Sequence, residues 1–385
     1  VIGLRVVLFL AGAAVVALTI ASVIRTFLVP RALYAHVSRA VFVAVRWLFR
    51  LRAREGSDYA TRDAVMAFYA PVALLALLAT WLTALLGGYT TMFFALGGNS
   101  WFEAFTLAGS SLFTLGFSLR GGTVEVLIDF SAAAIGLTLL ALFIAYLPSL
   151  YAGFQRRERG VSKLEVRAGQ PPTGVYLIEL AWNVGRLENL RELWAGWEDW
   201  FVDLDESHSS FPALVFFRSV HPDQSWITTA GAILDGASLF ASSVDVPRQP
   251  EPEFMIRSGY LALRHLADFF QIPVDHDPRP DDPISITREE YDVAYLRLLE
   301  AGVPVKPDRE RAWRDFAGWR VNYDAALIGL ARLTMAPFAP WSSDRYEEAH
   351  FIPPAFPWLV RRSRRRRALA HRRRSSTADR GAPVE

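Results

Sequence analysis

The sequence predicts an all-α membrane protein with three transmembrane helices, one re-entrant segment between the second and third, and a soluble helical C-terminal domain. Three observations carry this. Residues 6–24, 64–89 and 130–154 are apolar and carry no charged residue, and each is long enough to cross a hydrocarbon core that takes about 20 helical residues. The 89–129 connection is crowded with aromatic residues yet too short and too polar to be a fourth span. From about residue 175 onward apolar residues recur every three or four positions, and alternating strand patterns are almost absent.

Composition narrows the function classes. The 385 residues contain no cysteine, which excludes disulfide scaffolds, zinc-thiolate centres and cysteine nucleophiles. The formal charge of +2 conceals an uneven distribution, because Arg361, Arg362, Arg364 to Arg367 and Arg372 to Arg374 put nine arginines into fourteen residues. Taking those nine from the 41 basic residues leaves 32 against 39 acidic ones, an acidic body with a basic tail.

The first helix is expected within 1–29. A secretory signal is the competing reading, since Ala21 and Ser22 close the stretch. The apolar run exceeds the roughly 7–15 residues of a signal core, and the charge lies on the wrong side of it. The 30–63 linker and its approaches carry Arg25, Arg31, Arg39, Arg46, Arg50, Arg52, Arg54 and Arg62, whereas the next connection carries only Arg120. Basic loops stay inside, so this segment is expected in the cytoplasm, the N-terminus outside and everything after Phe154 inside the cell membrane. Within the linker, His36, Arg39, Arg46 and Arg50 share a helical spacing. They suit an interfacial helix with arginines toward lipid phosphates, or equally a continued span with snorkelling arginines.

The second span, the 89–129 connection and the third span form one unit, 64–154. Trp101, Phe102, Phe105, Leu107, Leu112, Phe113, Leu115 and Phe117 sit between the two spans. A re-entrant segment accommodates them, because non-helical backbone at membrane depth is tolerated where protein surrounds it or water lines it. Ser100 followed by Glu103 is a capping-box pattern, which predicts a short helix running to about Leu112. Phe113-Thr114-Leu115-Gly116-Phe117-Ser118 follows it.

At this point the sequence resembles the pore of the potassium-channel family: outer helix, pore helix, a Thr-Val-Gly-Tyr-Gly-type filter, inner helix. Thr114, Leu115, Gly116 and Phe117 carry the match. The resemblance implies that their carbonyls, with the threonine hydroxyl, replace the hydration shell of a permeant cation, potassium, and that four copies surround the pathway. Gly116 supplies a conformation that glycine adopts cheaply. At the outer mouth the sequence departs from the family. Ser118 stands at the usual second glycine, Leu119 replaces the usual acid, and Arg120 would form a positive ring that Glu125 and Asp129 offset.

Gly136 and Pro148 in the third span are candidate hinge and gate positions, since proline removes a helical hydrogen bond. Both residue types are also common in membrane helices without such a role. A linker is expected at 155–174, around Gly169, Pro171 and Pro172. The helical domain then fills 175–350, with a long helix over 175–204 and further helices near 223–242, 254–271, 288–301 and 308–334. A proline-rich acidic loop falls at 273–284. Thr287 with Glu290 is a second capping box.

In the densest polar cluster, Asp205, Glu206 and His208 are candidate ligands for a metal or a regulatory molecule. The competing reading caps the next helix with Ser207 or Ser209 and packs His208. No Gly-rich phosphate loop, nucleophile elbow or paired metal-ligand motif appears, so neither an enzyme nor a cofactor beyond the permeant cation is expected. The stretch from Tyr146 to Tyr151, Arg156-Arg157-Glu158 and the cluster from Ser207 to Pro212 also resemble actinobacterial channel-like proteins that join this pore to this helical domain. The 351–385 tail lacks an apolar pattern and is expected to be disordered. Its arginines between Arg361 and Arg374 suit anionic lipid, with no specific nucleic acid as partner. The expected function is a homotetrameric cation channel, and the rival is a non-conducting membrane sensor or scaffold with a vestigial pore fold.

Overall fold

The computed structural model describes residues 2–29, 36–52, 59–97, 100–118 and 122–345. The chain divides into Val1–Ala349 and His350–Glu385. The second unit, with the arginines of the tail, lies outside the described residues, as do Leu119 and Arg120. Among the described residues the protein is helical, with one isolated bridge, Val244 to Val305, and no strand.

Three helices are long and apolar enough to cross a membrane. The first, α1 (Ile2–Phe27), lies along α4 (Tyr69–Ala95). Small residues let the two backbones meet: a Cβ on Gly12 would lie 2.6 Å from the Gly88 carbonyl oxygen. Trp81 Nε1 donates to Ser22 Oγ at 3.2 Å across the same interface. Between them run α2 (His36–Arg52) and α3 (Tyr59–Ala67). Pro71 falls in the first turn of α4, where a missing N–H is tolerated, and only Phe68 separates α3 from α4.

Two of the arginines of α2, Arg39 and Arg46, turn onto the chain itself, while Arg52 is exposed. Arg46 is buried and donates to the Leu333 carbonyl at 2.6 Å, and Arg39 donates to Gln271 Oε1 at 3.1 Å. The exposed residues of α2 include Trp47, Leu48, Leu51 and Arg52. The Arg46 acceptor is favourable, because Leu333 belongs to the last turn of a helix, whose free carbonyls attract a cation.

The third span is α6 (Thr123–Ala168), 46 residues without a break, or about 70 Å at 1.5 Å per residue. It absorbs most of the expected 155–174 linker. Pro148 interrupts the ladder only locally, and beyond it Leu150, Gly153, Arg157, Gly160, Leu164 and Ala168 keep a buried stripe at helical spacing. That stripe docks on a C-terminal helical body. Gly160 is where it comes closest: a Cβ there would meet Trp200 Nε1 at 2.2 Å, and that indole donates to the Arg157 carbonyl.

The body holds α7 (Gly174–Asn183), α8 (Arg191–Ser210), α9 (Trp226–Ser243), α10 (Glu251–Phe269), α11 (Arg288–Glu300), α12 (Arg309–Arg320) and α13 (Asp324–Thr334). A short 3₁₀ turn, Pro212–Phe216, follows α8. The single helix expected over 175–204 is two, because Gly185 takes φ +67° after α7 and ends it. The 308–334 segment also divides, at Val321 to Tyr323, where Arg264 binds both the carbonyl and the side-chain oxygen of Asn322. The Thr287–Glu290 capping box forms in full. Helix α9 is the centre, with all but Ala241 of its residues buried among α7, α10, α12 and α13. Its Asp235 pairs with the fully buried Arg320, which also binds Asp324 and the Trp341 carbonyl.

Candidate functional site

The site is built on α5 (Trp101–Leu112), which packs against both α4 and α6. Ser100 Oγ accepts the Glu103 N–H at 3.2 Å, the cap expected from sequence. At the other end the chain reverses. The N–H of Thr114 bonds the Ser111 carbonyl at 3.0 Å, and those of Leu115 and Gly116 bond the Ser110 carbonyl at 2.8 and 3.4 Å. The Ser110 hydroxyl accepts the Ser118 N–H at 3.1 Å and faces the Ser118 carbonyl at 3.4 Å.

These bonds fix where the carbonyls go. In a trans peptide the N–H and the preceding C=O point in opposite directions. With the N–H groups of Leu115, Gly116 and Ser118 turned onto Ser110, the carbonyls of Thr114, Leu115 and Phe117 are turned away from α5. Among the described residues the carbonyls of Thr114, Leu115, Gly116 and Phe117 accept no hydrogen bond. The backbone alternates to achieve this: Thr114 takes φ +56° and Gly116 φ +71°, while Leu115 between them does not. A threonine at positive φ is strained by roughly 1–2 kcal/mol, and such strain persists only where the surroundings impose it. The side chains of Leu115 and Phe117 are 62% and 64% exposed.

Ser118 does not need to be a glycine. It has no positive φ, and the Ser110 hydroxyl ties both its backbone groups. Asp129 is 4% exposed and packs against α5, its Oδ1 lying 2.5 Å from Ser111 Oγ. Ser110 and Ser111 are the residues that sequence reasoning passed over, and Asp129 was read there only as a charge offsetting Arg120; polar side chains beside apolar membrane segments were the available signal.

Gly136 sits at a contact. A Cβ there would lie 2.1 Å from the Leu112 carbonyl oxygen, so the glycine lets the end of α5 seat on α6. Pro148 lies within continuous helix between the buried Tyr146 and Leu150. Asp205, Glu206 and His208 do not converge. Asp205 Oδ2 pairs with His265 at 2.8 Å and Glu206 is exposed. His208 is fully buried against Trp226, its Nδ1 facing the Leu204 carbonyl and its Nε2 facing Arg157 Nη1 at 3.4 Å. Burial and the Arg157 charge push the His208 imidazole well below its usual range. Among the described residues no three His, Asp or Glu side chains group as metal ligands. Protein-family models, characterised proteins and solved structures yield no match to this chain.

Proposed function

We propose that the chain is one subunit of a tetrameric cation channel that conducts potassium through the 114–117 segment. The observation that carries this reading is the row of unpartnered carbonyls from Thr114 to Phe117, of which those of Thr114, Leu115 and Phe117 are turned away from α5 because Ser110 holds the N–H groups of Leu115, Gly116 and Ser118. Such oxygens can replace the hydration shell of a dehydrated cation, and the exposed face suits a symmetry axis shared with other copies. Potassium and the count of four are what the family resemblance implies. In this reading the basic 30–63 segment and the C-terminal body lie in the cytoplasm, the body regulates the pore, and the tail engages anionic lipid.

The test is cation flux from liposomes holding purified protein under potassium or sodium gradients, with Gly116→Ala as the comparison. Potassium-selective flux that the substitution abolishes supports the proposal. A folded, oligomeric sample that passes neither ion across its range of pH and voltage refutes it and leaves the scaffold reading.

A further inference from the structure

Asp129 belongs to α6, yet its carboxyl group is buried against α5 at the level where the free carbonyls begin. Its partner, the Ser111 hydroxyl, also lies 3.0 Å from the Leu107 carbonyl, one turn back on α5. A hydroxyl has a single proton to donate, and the Leu107 carbonyl has none. Two protons are needed for both contacts to be full hydrogen bonds. The second can come only from Asp129.

The alternative is an ionised carboxylate with one hydrogen bond. Among the described residues its Oδ2 has no partner, and it is buried. A carboxylate offers about four acceptor sites, and leaving a buried charge so poorly matched is far more unfavourable than leaving one carbonyl-like oxygen of a neutral acid unpaired. Among the described residues the other groups here do not relieve such a charge. Helix α5 presents the Ser111 hydroxyl, and α4 presents the Tyr89 phenol, which is bonded to Ser131. Helix α6 adds Glu125 one turn earlier, a like charge.

We infer that Asp129 carries a proton here and donates it to Ser111, which donates to the Leu107 carbonyl, bracing the end of α5 against α6. Ser111 adjoins Ser110, the residue that holds Leu115, Gly116 and Ser118. Loss of the proton leaves a buried charge in the brace and loosens the support of that segment. Resting on the channel reading, this adds that ion selection fails under alkaline conditions as Asp129 ionises. Asp129→Asn replaces the acid by an amide that still donates to Ser111, and removes the titration.

Two measurements on the full chain in lipid decide this, and the first does not depend on conduction. The infrared difference spectrum at neutral pH between wild type and Asp129→Asn should contain the carbonyl stretch of a protonated carboxylic acid. In Ser111→Ala, which leaves Asp129 in place, that band should persist at a shifted frequency. Carboxylate bands in place of the acid band overturn the proposal. In flux, wild type should lose potassium over sodium discrimination as pH rises, by tenfold or more, while Asp129→Asn stays selective throughout. Equal pH profiles for the two proteins overturn it as well. An acid band in a protein that passes no ion refutes the channel reading and supports the proton assignment.

Discussion

Replacing Gly136 by alanine separates two roles for that residue. A hinge glycine gives up flexibility on becoming alanine but keeps its contacts, and alanine favours a helix by about 1 kcal/mol over glycine. A seating glycine cannot accept the methyl group. Here the new Cβ would lie 2.1 Å from the Leu112 carbonyl oxygen and 3.1 Å from its carbon. Relief to the ~3.5 Å at which non-bonded atoms rest requires the end of α5 to retreat by more than about 1 Å. Both atoms are backbone, so no rotamer change gives way. Overpacking of this kind costs about 1–3 kcal/mol, offset in part by the gain in helix propensity. Because Leu112 leads directly into Phe113 and Thr114, the displacement is passed to the free carbonyls. We expect Gly136→Ala to lower the thermal unfolding midpoint by several degrees and to abolish ion selectivity together. Gly116→Ala is the control: nothing lies within 4 Å of its added Cβ, so only the positive φ is penalised and the unfolding midpoint moves little. An alanine at 136 that melts at or above the wild-type temperature with selectivity intact would refute the packing argument.

Ser110→Ala removes the hydroxyl bonded to both backbone groups of Ser118, at about 0.5–1.5 kcal/mol per bond; potassium over sodium selectivity should fall while the melting midpoint moves only slightly. Arg320→Ala strands the buried Asp235 carboxylate and should destabilise the body by roughly 3–5 kcal/mol, whereas an apolar pair at both positions should recover most of that in calorimetry. His208 is neutral in the folded chain because burial, then Arg157, lowers its pKa below the ordinary 6.5. The unfolded chain therefore binds the extra proton, so the stability held by His208 is complete above pH ~6.5 and declines as pH falls, by at most about 1.4 kcal/mol per unit. His208→Gln should flatten that slope in denaturation series between neutral and acid pH.

How much of this was legible depended on the range of the interaction. Ser100 and Glu103, or Thr287 and Glu290, act over three residues, and both helix starts follow from the sequence. The three spans follow from apolar length alone. The length of α6 was obscured by Pro148 and by the charges after Phe154, although the buried stripe from Leu150 to Ala168 has helical spacing. His208 was legible in part. Trp194, Trp197, Phe201, Leu204 and His208 follow one another at three and four, which places the imidazole on the apolar face, and Asp205 falls off that stripe. What no local pattern carries is the meeting of Ser110 with Ser118, of Ser111 with Asp129, and of Arg46 with Leu333, since each depends on which helices pack together.

In the channel proposed above, the same contacts bear on gating. Pro148 lies between two fixed points on α6. Gly136, twelve residues before it, seats the end of α5, and Arg157, nine residues after it, is clamped in the C-terminal body. The Arg157 guanidinium donates to the Leu214 and Phe217 carbonyls at 2.7 and 2.9 Å and pairs with Glu158. Those anchors lie about 18 Å and 14 Å along the helix from the proline. A bend at Pro148 must therefore move the body relative to α5 or break one clamp, and breaking the lower one strands two carbonyls and a buried cation. Movement of the intact body is the cheaper course. The body is also tied to α2 through Arg46 and to α3 through Arg218, which binds the Met335 carbonyl and Asp63. A bend at Pro148 thus displaces the linker between the first two spans as well, so under the channel proposal the stimulus for opening is expected to act on the body rather than on the span that carries the proline.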